Sequence, residues 1–423
     1  MAQTTPAGEE QAIALLRACA GLLFSNGQTT ERTVVSVSRL ATHLGLTVSV
    51  GARWGEVALR FALPEGGERL EIVPATPAGV EMHKVTETLR IMDGVRDGRL
   101  DLSNALAQLQ AVAHLPPVSL LRFASLAGAG AAALAVIFGT TDSMILLLVF
   151  ASAFAGACLR RGLAHRFANP LPQPLGAALL AGLVAVAAAH LMPAASVSMI
   201  ALCPCMVLVP GPHLLNGALD LSRLRLPLAI ERLSYAGLLV LLITVGLITG
   251  LYMGGQSIPL GSGGVSVPLG VDVGAAGIAI AAYGTFFSMP WRMLPIPMAV
   301  GMGGHALHWA VLAMGGGAAS SSFVACLFVG AAVTPISNRL HTPFAAFAFA
   351  SVVSLIPGSY VFRMADALIG LTNGGSDASP QLLTAAVMDG TTAIAVMIAM
   401  AFGLILPKML IEEFTAFGAP ETA

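Results

Sequence analysis

The sequence predicts a mainly α-helical polytopic membrane protein: ten transmembrane helices as two inverted five-helix repeats, behind a small N-terminal α/β cytoplasmic domain. Three observations carry that expectation. Charged residues make up only 10% of the 423-residue chain and its mean hydropathy is +0.82, whereas soluble domains carry about 25% charged residues. The charges crowd toward the front, with 22 in residues 1–115 and 21 in residues 116–423. Beyond Pro117, apolar runs of about the length that a ~30 Å hydrocarbon core requires alternate with short breaks.

The expected domains are therefore 1–115 (cytoplasmic, α/β), 116–265 (first repeat) and 266–423 (second repeat), with Pro116-Pro117 as the first seam, because neither proline continues a helix. The opening MAQTTPAGEEQ is polar and lacks an apolar h-region, so no cleavable signal peptide is expected. In the first domain, an amphipathic run over 12–24 stops at Ser25-Asn26-Gly27. Thr29 and Thr30 open a second helix that Gly45 ends. Short β-rich stretches at 46–50, 56–63 and 69–73 are separated by Gly and Pro signals, and further helices follow at 81–95 and 102–114.

Spans are expected at 119–138, 142–159, 174–192, 196–221, 233–252, 267–287, 293–314, 319–337, 342–368 and 383–406. Basic residues test this count. Arg160, Arg161 and Arg166 follow the second span, Arg223, Arg225 and Arg232 the fourth, Arg292 the sixth, Arg339 the eighth and Lys408 the tenth. The odd-numbered spans are followed by no Lys or Arg. By the positive-inside rule this alternation puts both termini in the cytoplasm of a multi-pass inner (cytoplasmic) membrane protein.

A net charge of −1 and five cysteines without CxxC or Cys/His spacing exclude a nucleic-acid partner and a thiolate metal centre, and no cofactor is expected. No nucleophile–base pair suggests an enzyme. The expected partners are a small-molecule substrate, protons and the bilayer, with a homo-oligomer left open.

An internal repeat points to the site. Val209-Pro210-Gly211-Pro212-His213 is matched, 147 residues on, by Ile356-Pro357-Gly358-Ser359-Tyr360. Five spans per unit would make the second copy enter from the opposite side, an architecture of many secondary transporters. About fourteen apolar residues precede each Pro-Gly pair, too few to span. Each pair is therefore read as the break of a discontinuous helix, whose half-helix N-terminus can hold an anion near the midplane.

Candidate substrate-binding residues are Pro210, Gly211, His213, Asn216, Pro357, Gly358, Tyr360 and Arg363; candidate proton-coupling residues are Asp220, Asp366 and Asp389. His213, Asn216 and Asp220 share a helical face at i, i+3, i+7. Arg363 either holds a substrate carboxylate or neutralises Asp366 one turn away. Asp220 is either in the membrane or interfacial beside Arg223 and Arg225. Asp389 stands alone in its span and is either a proton carrier or, if that span starts later, interfacial. His305 and His308 either relay protons or pack, and Asp272 is read as interfacial. Trp291, Trp309 and Tyr235 are read as interface anchors or packing residues.

Three stretches make the chain resemble the threonine/serine exporters. They are Ala20-Gly21-Leu22-Leu23-Phe24-Ser25-Asn26-Gly27 with Thr29, Thr30 and Glu31; Pro210-Gly211 followed by Asn216, Asp220 and Arg232; and Pro357-Gly358-Ser359-Tyr360. Arg32 after Glu31, and Ser222-Arg223-Leu224-Arg225 after the Asp-Leu, depart from the family pattern. The resemblance implies proton-driven export of threonine and serine by alternating access about the paired breaks. Its two-component relatives leave export of dicarboxylates such as succinate as the alternative, beside a channel-like facilitator.

Overall fold

The computed structural model describes residues 6–62, 66–190, 194–258, 267–340, 342, 344–375 and 379–417. The expected repeat boundary at 265/266, the end of the 174–192 run and the first residues of the chain lie outside these.

The front of the chain forms four helices and one sheet: α1 (Pro6–Ser25), α2 (Thr30–His43), β1 (Thr47–Arg53), β2 (Gly55–Ala62), β3 (Glu68–Ala75), α3 (Met82–Arg96) and α4 (Leu102–Ala113). The strands make an antiparallel meander in the order β1-β2-β3. Gly55, at φ +95°, closes the β1–β2 hairpin, a backbone region that costs glycine little. Alternate residues Val57, Leu59 and Phe61 are buried in the same core as Leu15, Leu16, Leu23 and Phe24 of α1, as a period-2 strand under an amphipathic helix requires. Thr29 caps α2 by accepting from Arg32 N–H at 3.3 Å. Cys19 is fully buried and its thiol is pushed up to about 12 by burial, which suits a packing residue.

The remainder is helical: α5 (Leu120–Ile137), α6 (Ser143–Arg166), α7 (Pro172–Ala189), α8 (Ala194–Met206), α9 (Gly211–Ser222), α10 (Leu226–Tyr252), α11 (Leu269–Phe286), α12 (Pro295–Ala313), α13 (Ala318–Arg339), α14 (Phe344–Val352), α15 (Gly358–Gly374) and α16 (Pro380–Phe417). Among the described residues, seven helices are long and apolar enough to cross a membrane, and α8/α9 and α14/α15 are bent pairs that bring the number to nine. The tenth expected span is α12, 19 residues long, whose prolines, glycines and two histidines make it less apolar.

Several helices outrun the expected spans. α6 continues to Arg166 and α10 begins at Leu226, so Arg160, Arg161 and Arg232 lie in helices rather than loops. Nothing in these polar helical ends breaks the backbone pattern, so the helix continues where the apolar run stops.

The packing of α5–α10 recurs in α11–α16. α5 packs on α6, α6 on α7 and α8, α7 on α10 and α9 on α10; α11 packs on α12, α12 on α13 and α14, α13 on α16 and α15 on α16. The two sets meet through α5 with α11, α8 with α15 and α9 with α14. Glycines allow the closest crossings: a Cβ on Gly250 of α10 would lie 2.6 Å from the Leu179 carbonyl of α7, and one on Gly330 of α13 would lie 2.8 Å from the Leu404 carbonyl of α16.

Candidate functional site

The two Pro-Gly pairs make the same local structure. Pro210 has φ −82°, ψ 59° and Pro357 has φ −78°, ψ 38°. In each case the following glycine N–H donates back across the proline, Gly211 to Val209 O at 2.9 Å and Gly358 to Ile356 O at 2.8 Å. This is the inverse γ-turn that a proline's fixed φ favours. It bends α8/α9 by 52° and α14/α15 by 56°. The turn also engages the first N–H of the following helix, and Pro212 supplies none, so the anion cradle expected at these N-termini is short of donors.

Each break borders a cavity. Cavity 1, about 470 Å³, is lined by Val207, Leu208, Val209, Pro210, Pro212 and His213 of the first break, with Arg160, Arg161, Tyr235 and Tyr283. Cavity 2, about 530 Å³, is lined by Ser354, Leu355, Ile356, Pro357, Ser359 and Tyr360 of the second break, with Asp272, His305, His308 and Trp309. Advanced by 147 positions, all six break residues of cavity 1 become the six of cavity 2, and Arg161 becomes His308.

The cavities lie at opposite ends of the bundle. Cavity 1 touches Val118 before α5 and Ala164 near the end of α6. Cavity 2 touches Ile137 at the end of α5 and Ala313 at the end of α12. The 18 residues of α5 put about 27 Å between these ends. Between the cavities, Tyr283 Oη donates to Met206 O at 2.7 Å, and Gly211 sits so close to Phe349 that a Cβ there would overlap the ring.

The two cavities differ in charge. Arg160 and Arg161 outnumber the one carboxylate, Glu81, in the wall of cavity 1. Cavity 2 contains an acid–base pair: His305 Nδ1 lies 2.7 Å from Asp272 Oδ2, both side chains being buried, with the His308 ring 5.7 Å from that of His305. Asp272, expected to be interfacial, is in the first turn of α11 and is buried there against α12, whose His305 meets it.

The structure redistributes the other candidates. Pro210 and His213 line cavity 1, and Pro357 and Tyr360 line cavity 2, whereas Asn216, Gly358, Arg363, Asp220, Asp366 and Asp389 line neither. Asp389 does not stand alone: Arg363 grips it bidentately, Nη2 to Oδ1 at 2.7 Å and Nε to Oδ2 at 3.0 Å, because α16 runs alongside α15. Arg363 therefore neutralises neither Asp366 nor, in this state, a ligand. Asp366 instead accepts from Ile258 N–H at 2.9 Å. Asp220 is buried against Arg232 at 3.1 Å and accepts from Thr30 Oγ1 at 3.1 Å, so it belongs to an ion-pair network rather than to a solvated surface.

That network joins the first domain to the bundle. Glu31 pairs with Arg225 at 2.5 Å and Arg223 at 3.6 Å, while Arg223 pairs with Glu412 of α16 at 2.8 Å. Burial raises the Glu31 carboxyl, but Arg225 and Arg223 more than offset this and hold it below the usual carboxylate range. The β1–β2 hairpin places the Trp54 ring 4.8 Å from Tyr235 and 6.4 Å from His213, and residues 78–81 form part of the wall of cavity 1. The first domain therefore covers cavity 1.

Sequence reasoning missed Arg160, Arg161, Tyr235, Trp54 and Asp272 as cavity or cavity-flanking residues. The one available signal was the repeat itself: extending the 147-residue offset into α6 aligns Arg161 with His308.

Comparison with protein-family models gives two matches. Residues 14–254 match a model described as a threonine/serine exporter, and residues 272–410 match one described as Threonine/Serine exporter, ThrE. No curated protein and no solved structure matches the chain.

Proposed function

Because the chain belongs to the threonine/serine exporter family, we propose that it is a secondary exporter of small polar amino acids, threonine and serine, that works by alternating access between cavities 1 and 2. The observation that carries this reading is the six-for-six correspondence of the two cavity linings at opposite ends of the bundle. Equivalent walls facing opposite ways are what two inverted five-helix units, 116–265 and 266–423, would produce, with α12 counted as the tenth span. The cavities are separated by the paired breaks, so rocking one unit against the other about those breaks would close one cavity and open the other.

Proton coupling is assigned to cavity 2. Asp272 and His305 are 2.7 Å apart, within hydrogen-bond reach, and the other titratable groups lining the cavity are His308 and Tyr360. Protonation from that side would neutralise Asp272 and release His305, altering how α11 and α12 pack. This replaces Asp220, Asp366 and Asp389 as the coupling residues; Arg363–Asp389 serves as an internal ion pair that joins α15 to α16. The first domain docks at the end of the bundle that holds Arg223, Arg225 and Lys408, which supports a cytoplasmic position for it and for both termini.

A second reading has a specific observation behind it. Arg160 and Arg161 give cavity 1 two guanidinium groups, enough to receive a dicarboxylate such as succinate. Counterflow in proteoliposomes with labelled threonine, serine and succinate under an imposed pH gradient decides. Threonine or serine uptake that cross-competes supports the first reading and succinate uptake alone the second. Transport of none of the three ends both.

A further inference from the structure

The cations of the membrane region can be accounted for one by one. Arg232 has Asp220, Arg225 has Glu31, Arg223 has Glu412, Lys408 has Glu412 and Arg363 has Asp389. Arg122 donates from Nη2 to Met289 O at 2.7 Å, with its Nε unpartnered, and Arg161 donates to Val118 O at 3.0 Å. Arg166, Arg292 and Arg339 are exposed.

Arg160 is different. Its Nε and Nη1 are buried with no hydrogen-bond partner among the described residues, and no carboxylate pairs with it. Its guanidinium faces only the rings of Phe123 at 5.7 Å and Phe286 at 5.5 Å. Buried charges are normally paired, because an uncompensated one loses its hydration without replacement. Ring faces satisfy part of that deficit, but they accept no N–H. Arg160 also lines cavity 1, beside His213 and the first break. A guanidinium with its fork of donors unspent, in a cavity large enough for a small solute, is a receptor for a planar anion.

We propose that Arg160 anchors the carboxylate of the transported solute in cavity 1. The proposal rests on the exporter reading and deepens it. Arg160 supplies the two parallel N–H donors, the Phe123 and Phe286 rings hold the guanidinium plane, and His213 and Tyr235 face the remainder of the solute. Arg161, with one Nη2 donor already given to Val118 O, is the less available of the two guanidinium groups. A carboxylate there would give the Arg160 Nε and Nη1 donors the acceptor that the described residues do not supply.

The test compares the full-length wild type with Arg160→Gln, Arg160→Lys and the control Arg161→Gln. Calorimetric binding to solubilised protein is measured with threonine, threoninol (the same molecule without its carboxylate) and succinate, alongside counterflow. Wild type is expected to bind at least one carboxylate and not threoninol. Arg160→Gln is expected to weaken carboxylate binding and raise the transport KM by about ten-fold or more, the loss of a charge-assisted pair. Arg160→Lys, which keeps the charge but not the fork, should fall between, and Arg161→Gln should change KM less than Arg160→Gln.

Carboxylate affinity within about two-fold of wild type in Arg160→Gln, or in Arg160→Lys should the glutamine variant not fold, overturns the proposal. So does equal binding of threonine and threoninol, or binding of no carboxylate by wild type. If wild type moves none of the three solutes the exporter reading fails by itself, and the binding comparison still decides the role of Arg160. Unchanged KM in a transporting Arg160→Gln protein removes Arg160 and leaves the exporter reading intact.

Discussion

The two halves of the membrane region repeat one order of helix packing and differ in chemistry. Pro210-Gly211 and Pro357-Gly358 make nearly the same turn and nearly the same bend, yet cavity 1 carries arginines under the first domain and cavity 2 carries Asp272 and His305 at the far end. The repeated parts are those that bend and line. The charged residues that would distinguish solute from proton are set on α6 in one half and on α11 and α12 in the other. A duplicated scaffold thus leaves each half free to specialise at positions where backbone geometry makes no demand.

The sharpest way to break this likeness is at the glycines. Gly211 has the Phe349 ring against its Cα, whereas a Cβ on Gly358 meets nothing closer than Met206 Cγ at 3.3 Å. Gly211→Ala should cost about 3 kcal/mol or more by overpacking and Gly358→Ala about 1 kcal/mol. Thermal melts of the solubilised variants measure both, and Phe349→Ala should restore much of the Gly211→Ala loss. Equal costs would mean that the two breaks are packed alike.

Arg363–Asp389 gives the next largest effect. Both side chains are 15% exposed, so Asp389→Asn, which strands the guanidinium, should destabilise by about 3 kcal/mol, while replacing both partners with apolar residues should recover most of it. A double-mutant cycle in the melting temperature checks the pairing. If the doubly apolar protein still transports with wild-type coupling, the pair is structural, and proton coupling belongs to Asp272 and His305 rather than to Asp389.

The smallest effect concerns how the first domain sits on cavity 1. His83 of α3 is half-buried, and burial lowers its pKa below the ordinary histidine value despite Glu81 nearby. Folded protein therefore favours the neutral ring. Stability is full above pH ~6.5 and falls as pH drops through that value, because the unfolded chain takes up the proton more readily. Melting between pH 8 and pH 5 should show this decline, and His83→Gln should flatten it. A curve unchanged by the substitution would take His83 out of the interface.

Much of the architecture was legible in the residues. The charge step at Pro116, the apolar runs, the alternating arginines and the repeated Pro-Gly pair all report local constraints: hydropathy, backbone sterics and interfacial charge. The order of helices and strands follows from them, and so does the location of both breaks. Pairings were not legible. Asp389 reads as solitary and Arg363 as free because their contact spans 26 positions, and Asp272 meets His305 across 33. Arg160 reads as a topology signal because a run of arginines after a span has the same appearance whether it faces water or a cavity.

The sequence by itself determined that this chain lies in a membrane, that it bends twice at matched points and that few charges are available for function. Those features depend on a residue's own chemistry and its immediate neighbours. Only the tertiary structure decided which of those charges are already neutralised, because pairing is set by helix packing across long separations. Of the membrane-region arginines left without an anion, Arg122 and Arg161 donate to backbone carbonyls, whereas Arg160 keeps a buried Nε and Nη1 with no hydrogen-bond partner among the described residues.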